Sequence, residues 1–430
     1  MTTDRKQQVH EAVLARRDDI LKLILDTVKV PSITLHEGPV QDVFEDAMRT
    51  ASLTIDRWVA TEEEIAPHII HVGAQDIYED RPNLVGYRPG VDPNNGRSII
   101  LQGHVDTVDP GDPALWTKDP TGEWEPETGT IYGRGAVDMK SGVVTNIVAM
   151  QILNDLGIQL GGDVYVAATV GEEDGGVGAL SLILRGYKAD AVVITEPTDN
   201  NITIAQGGSL VYRITVTGRS AHGAYRNEGV SAIEKFIPIF QDLIAWEQER
   251  NATLSHPLYD SLPNKFPIST GTVRAGTWAS TVPEILVAEG RLGFLPTERM
   301  ADMMAQTQAR IDAIVAQDEW LREHPPLLEW HGGQFESAEV KEDEPIAQTL
   351  AVAFKEATGS DAVFNASVAG LDMRLFLQIG DIPTITYGPG SARHGNAHGP
   401  DEWIKLDDVL TAIETIVFTV IDWCGEAQTA

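Results

Sequence analysis

The sequence predicts an α/β protein: a mixed, largely parallel sheet flanked by helices, with a smaller α/β unit inserted into it. Three observations carry this reading. Between Ile99 and Ile194, short apolar runs alternate with helical periodicity, and each run is followed closely by a histidine or an acid. From about Ser209 the pattern changes to long strands that alternate apolar and polar, as in a sheet with one solvated face. After Glu344 the pattern of the first two hundred residues returns. A chain of 430 residues exceeds one ordinary core, and these changes divide it into a discontinuous unit over 1–207 and 338–430 and an inserted unit over 208–337.

Taken in order, residues from about Arg5 to Val28 read as one amphipathic helix, with Val13, Leu14, Ile20, Leu21, Ile24 and Leu25 on one side and Pro31 as its stop. A second helix covers roughly Val40 to Ala51. Asn83 to Tyr87 alternates like a strand, and the turn formers from Gly90 to Gly96 predict that it doubles back into Ser98–Leu101 as a hairpin. That buried run delivers the chain to His104 and Asp106, just past a strand's carboxyl end, where open α/β sheets place their chemistry. The loop from Pro110 to Gly129 is long enough to be suspected of function. Asp138 precedes a helix marked by Val143, Val144, Ile147 and Met150. The strands Val164–Val170 and Ala191–Ile194, with a helix near Val177 to Arg185 between them, run into Glu172-Glu173 and Glu196.

The inserted unit reads as a strand over Leu210–Thr217, a helix from about Val230 to Arg250, strands near Ile268 to Val273 and Ile285 to Glu289, a helix over about Glu298 to Val315, and a closing strand around Leu328 to Gly332. The final stretch has a helix over Ile346 to Ala357 and a strand over Thr384–Tyr387, beyond which lie His394 and His398.

Charge narrows the function classes. With 64 acidic against 32 basic residues the net charge is −32, which argues against nucleic acid or an anionic membrane surface as partner. The same excess serves equally well as a solubility adaptation. A single cysteine, Cys424, cannot form an intrachain disulfide. The charged amino-terminal stretch lacks a signal-peptide core, and no run approaches the ~20 apolar residues of a membrane span. A cytoplasmic, soluble protein is expected.

A histidine followed two residues later by an aspartate can bind a metal through one ring nitrogen while the carboxylate takes the proton on the other. For this dipeptide alone, a loop hydrogen bond without metal is the simpler reading. Repetition changes the balance: a fold that gathers His104, Asp138, Glu172, Glu173 and Glu196 on one sheet edge must neutralise several carboxylates, which divalent cations do. Gly176-Val177-Gly178 imitates a dinucleotide fingerprint, but acids stand where a pyrophosphate would lie and the third glycine is absent. No Gly-x-Ser-x-Gly, Walker or Cys-x-x-Cys pattern is present.

The blocks His104-Val105-Asp106-Thr107-Val108, Gly133 to Gly142, Gly171-Glu172-Glu173, Glu196-Pro197, Gly218 to His222, and Gly388-Pro389-Gly390 with His398-Gly399-Pro400-Asp401-Glu402-Trp403 span nearly the whole chain. In order and spacing they resemble the acetylornithine deacetylase, succinyl-diaminopimelate desuccinylase, aminoacylase and glutamate carboxypeptidase family. The resemblance implies that His104, Asp138 and Glu196 bind one metal and that Asp138, Glu173 and His398 bind a second, with Asp138 bridging. It implies Glu172 as general base and Asp106 as partner of His104. The inserted unit then corresponds to the family's lid and homodimerisation domain, and His222 to a lid histidine that reaches a neighbouring subunit's site. His394 is the competitor for the role of His398, which the Gly-Pro-Asp-Glu-Trp that follows favours.

Two histidines with three carboxylates suit Zn²⁺, with Mn²⁺ or Co²⁺ as substitutes. Glu172 would then move a proton from water to the leaving nitrogen, and His222 would donate to the oxyanion. Departures touch the substrate. Many relatives carry a lid asparagine and arginine that hold a substrate carboxylate; here Ser280 and Gly293 stand in those places, with Arg291 two residues earlier on the same strand face. Arg374 is a further candidate anion clamp, or else an interdomain salt bridge. The expected function is a dinuclear metal amidohydrolase that deacylates a small N-acylated amino acid or amine. The alternatives are a metallo-carboxypeptidase or dipeptidase, a deformylase of a formylated aminopyrimidine-like amine, and, of another class, a non-catalytic metal-stabilised binding protein.

Overall fold

The computed structural model describes residues 2–75, 77–92 and 96–427. Its main sheet runs Thr54–Val59, Pro82–Arg88, Val164–Thr169, Ile99–His104, Ala191–Ile194, Thr384–Thr386, Ile202–Gln206 and Ala338–Glu339, with Phe364–Ser367 also paired to Ile202–Gln206. The four central strands, from Val164–Thr169 to Thr384–Thr386, are mutually parallel, and the outer neighbours on either side are antiparallel. The sheet is therefore mixed with a parallel centre, and the central carboxyl ends share one edge.

Helix Ser141–Asp155 is apolar on nearly every side and buried along almost its whole length, as a helix enclosed by protein must be. Helix Leu406–Cys424 packs against it. The amino-terminal helix expected as one piece is two, Thr3–Ala15 and Arg17–Lys29, broken at Arg16. The guanidinium of Arg16 reaches Asp155 at 2.6 Å, and the break lets the first piece pack on Leu406–Cys424 and the second on Ser141–Asp155.

The expected hairpin does not form. Val164–Thr169 lies between Pro82–Arg88 and Ile99–His104, antiparallel to the first and parallel to the second. Residues 93–95 of the intervening segment lie outside the described residues. Just before them the backbone turns to a distant partner: Val91 donates to the Leu160 carbonyl at 2.9 Å and Asp92 to that of Gly161 at 3.0 Å. A Cβ at Gly90 would come within 2.2 Å of the Gly161 carbonyl oxygen and one at Gly96 within 2.2 Å of the Gly162 nitrogen, so both glycines let a distant backbone approach closely.

Residues from Gly208 to Trp330 build a second sheet, antiparallel throughout, in the order Ile268–Ala275, Ile285–Phe294, Gly208–Thr217, Leu327–Trp330. Leu210, Tyr212, Ile214 and Val216 alternate onto one face and form a separate apolar cluster with Phe236, Ile239 and Leu243 of helix Ala232–Thr253 and Met303 and Ile311 of helix Met300–Val315. The long loop after Pro110 contains the strand Glu123–Glu125, which joins Thr130–Tyr132 and Trp403–Lys405 in a small ribbon. Among the described residues, no helix is long and apolar enough to cross a membrane.

Candidate metal centre

His104 is the last residue of a central strand and is buried. Its Nδ1 lies 3.0 Å from the carbonyl oxygen of Asp106 and 3.5 Å from that residue's carboxylate. Nε2 faces the opposite way, 3.3 Å from Asp138 Oδ1 and 3.6 Å from Glu196 Oε1. Asp138 sits at the kinked entry to helix Ser141–Asp155. Its second oxygen is 3.4 Å from His398 Nε2, which in turn lies 3.0 Å from Glu173 Oε1. Two groups result, His104 with Asp138 and Glu196, and Asp138 with Glu173 and His398, each with ligand atoms within 4.8 Å of one another. Asp138 belongs to both.

Electrostatics supports a cation here. Burial alone would lower the His104 pKa, but the carboxylates of Glu196, Asp106 and Asp138 carry it well above the imidazole value. Hydrogen bonding to Asp138 and Glu173 raises His398 to about 10. Burial drives Glu172 and Glu196 well above the usual carboxylate range against the pull of His104, while for Asp138 the two histidines outweigh burial and hold it low. Left to itself the set reaches neutrality only by taking up protons, and divalent cations replace those protons. The donor set of two imidazoles and three carboxylates therefore fits a pair of such ions.

Glu172 belongs to neither group and opens on a cleft of about 480 Å³ whose wall also includes Asn201, Thr203, Asn365, Ser367 and Arg393. The backbone amides of Glu172 and Glu173 both donate to Asp106 at 3.1 Å, and the Thr34 hydroxyl adds a third donor at 3.1 Å. The same carboxylate that faces His104 thus sets the loop of the two glutamates. His394 lines the cleft but joins neither ligand group.

The remaining predicted residues fall elsewhere. His222 is exposed on a short ribbon with Thr281–Val282 and is not among the residues lining this chain's cleft. Arg291 donates to the carbonyl of Val368, a residue of the cleft wall, at 3.2 Å. Arg374 is buried and is not among the residues lining the cleft. Its guanidinium donates to the carbonyls of Leu371 (2.7 Å), Gly175 (2.7 Å) and His71 (3.1 Å) and stacks over Phe335, so that it braces the loop after Glu173. Sequence reasoning gave no role to Arg134 or Glu402, although Glu402 stands four residues after His398. Both are buried, and they pair with each other beside Asp138.

Comparison with known proteins places these features in a family. An N-formyl-4-amino-5-aminomethyl-2-methylpyrimidine deformylase of Bacillus subtilis (strain 168) is 28% identical over 371 residues, covering 82% of this chain and 85% of the relative. A probable succinyl-diaminopimelate desuccinylase of Staphylococcus epidermidis (strain ATCC 35984) is 24% identical, covering 94% and 96%. The solved structure of the di-peptidase Dug1p from Saccharomyces cerevisiae superposes with a TM-score of 0.78 at 13% identity, covering 98% of this chain and 99% of that one, which establishes the shared fold. The family model described as Peptidase family M20/M25/M40 matches residues 100–422, a stretch that takes in both ligand groups and Glu172, and the chain belongs to that family.

Proposed function

We propose that the protein is a dinuclear metal-dependent amidohydrolase that removes an acyl group from a small N-acylated amino acid or amine. The observation that carries this reading is the sharing of Asp138 between two ligand groups, with Glu172 beside them on one cleft. In it, His104, Asp138 and Glu196 hold one cation, and Asp138, Glu173 and His398 the other. Zn²⁺ suits this mixture best, with Co²⁺ or Mn²⁺ as substitutes. Bound there, such ions supply Lewis acidity and bring the pKa of water toward ~7. Asp106 holds His104 Nδ1 so that Nε2 is presented bare to the cation. Glu172 takes a proton from the attacking water and passes it to the leaving nitrogen, so that a neutral amine departs.

Residues 208–337 act in this reading as a lid that also joins two copies of the chain. His222 donates to the developing oxyanion in a neighbouring copy's site, and its exposure away from this chain's own cleft supports action across subunits. Along helix Ala232–Thr253, Ile233, Ile237, Phe240 and Ile244 are 43%, 44%, 38% and 40% exposed and follow helical spacing, a stripe that a second copy would cover. A cytoplasmic location accords with the lone, buried Cys424.

Membership in a hydrolase family sets aside the non-catalytic binding protein. A second reading, deformylation of an aminopyrimidine-like amine, is favoured by the Bacillus subtilis relative and by Gly293, which supplies no cation where a substrate carboxylate would be read. The neutral polar groups Asn201, Thr203, Asn365 and Ser367 on the wall suit such an amine. The same assay separates the metallo-carboxypeptidase or dipeptidase alternative. The test is a screen of N-formyl, N-acetyl, N-succinyl and dipeptide substrates with Zn²⁺-, Co²⁺- and Mn²⁺-loaded protein, run beside Glu172→Gln. Turnover that falls ~10²–10⁴-fold in the variant at unchanged metal content supports the assignment. Equal rates in both proteins overturn it.

A further inference from the structure

A closed loop of contacts connects the residues expected to hold the second cation through side chains that belong to neither ligand group. Glu402 is fully buried. One of its carboxylate oxygens accepts the backbone amides of Val137 at 3.0 Å and Asp138 at 3.1 Å. The other accepts Arg134 Nη1 at 2.5 Å. The same guanidinium donates through Nη2 to the Gly399 carbonyl at 3.0 Å, on the residue that follows His398. Gly133 closes the circuit by donating its amide to the Glu402 carbonyl at 2.9 Å.

Each motif therefore grips the other next to its own ligand. The segment with Asp138 reaches, through Arg134, the backbone just after His398, and the segment with His398 reaches, through Glu402, the backbone of Asp138. We infer that Arg134 and Glu402 form a clasp that fixes the separation of Asp138 and His398, and that both are positioning residues for a divalent cation held by Asp138, Glu173 and His398. The inference rests on the reading of those three as ligands. It also predicts an asymmetry. Two of the three ligands of this group hang on the clasp, whereas His104 and Glu196 of the other group are set by separate strands, Ile99–His104 and Ala191–Ile194.

The experiment is stepwise Co²⁺ binding to chelator-stripped, full-length protein, followed by visible absorption and by competition with a chromophoric chelator. Arg134→Met, Glu402→Gln, Arg134→Lys and an Asp138→Asn control are compared with the parent, and thermal melts are recorded on each apo protein. The clasp predicts that Arg134→Met and Glu402→Gln weaken the second cation by ~10–100-fold and the first, which depends on the clasp through Asp138 alone, by less, and that Arg134→Lys recovers part of the loss. A lower melting temperature with both binding steps intact would assign the pair a purely structural role and overturn the inference. Should Glu402→Gln not fold, Arg134→Lys against the parent carries the same comparison, since it keeps the charge but cannot reproduce the planar two-point contact. Asp138→Asn distinguishes failure of the clasp from failure of the ligand set: if it still takes up both cations like the parent, the ligand assignment itself fails, whatever the clasp variants do.

Discussion

The backbone amide of Glu172 donates to the carboxylate of Asp106 at 3.1 Å, across 66 positions of sequence. Asp106 therefore serves two strand ends at once, orienting His104 on its own and the paired glutamates on the neighbouring one. Asp106→Asn keeps the shape but offers one acceptor oxygen and turns an N–H₂ toward an amide donor. The expected outcome is a ~10–100-fold loss in kcat/KM with weaker retention of the first cation, checked by steady-state kinetics and metal analysis after dialysis.

Arg374 separates bracing from substrate binding. Replacing it with methionine leaves three carbonyls without their donor in a buried setting, at a cost of ~1–3 kcal/mol for each unsatisfied group. Urea unfolding should show a loss of ~3–9 kcal/mol, with KM for the best substrate unchanged. A large rise in KM at full stability would return Arg374 to the role of anion clamp.

Asp260 gives a dependence on pH with a defined sign. The Ser255 hydroxyl, the His256 amide and Lys265 hold its pKa at about 2, below the unfolded value of 3.8. A depressed carboxyl contributes stability that is present above its unfolded value and lost as pH falls through the folded one. Melts of the parent and Asp260→Asn should differ by a constant amount from pH 7 down to about 4 and converge as the pH approaches about 2.

If a second copy covers the exposed stripe of helix Ala232–Thr253, as proposed, assembly and activity are open to one test. Ile237→Asp places a charge in the middle of that stripe, so sedimentation should show a dimer become a monomer while apo stability changes little. If His222 acts on a neighbouring copy, activity falls with dissociation. A monomer of full activity would end that assignment.

The parallel centre of the sheet was legible because fully buried strands read as unbroken apolar runs, and Ile99–Leu101, Val164–Ala168 and Ala191–Ile194 are such runs. The carboxyl-end position of His104, Glu172, Glu173 and Glu196 followed from them. The absent hairpin was not legible: Gly90 and Gly96 look the same whether the chain reverses or crosses a distant backbone, and the acceptors at Leu160 and Gly161 are remote in sequence. Helix Leu406–Cys424 was not read from the sequence, although Asp407, Asp408, Thr411 and Asp422 set a polar side against its apolar residues. For Arg374, residue type alone could not distinguish a guanidinium that meets a ligand from one spent on carbonyls. Glu402 lay within a recognised block, but two of its partners are backbone amides, which leave no trace in side-chain patterns, and the third, Arg134, is 268 positions away.

The two ligand groups draw on five separate chain segments, the first at His104 and the last at His398. No contiguous fragment shorter than that interval can reproduce both, and a chain interrupted anywhere before His398 cannot complete the second. If these residues hold cations as proposed, loading of the second is a late event in the life of a nascent chain, and its content becomes a gauge of how many molecules in a preparation are whole and correctly closed.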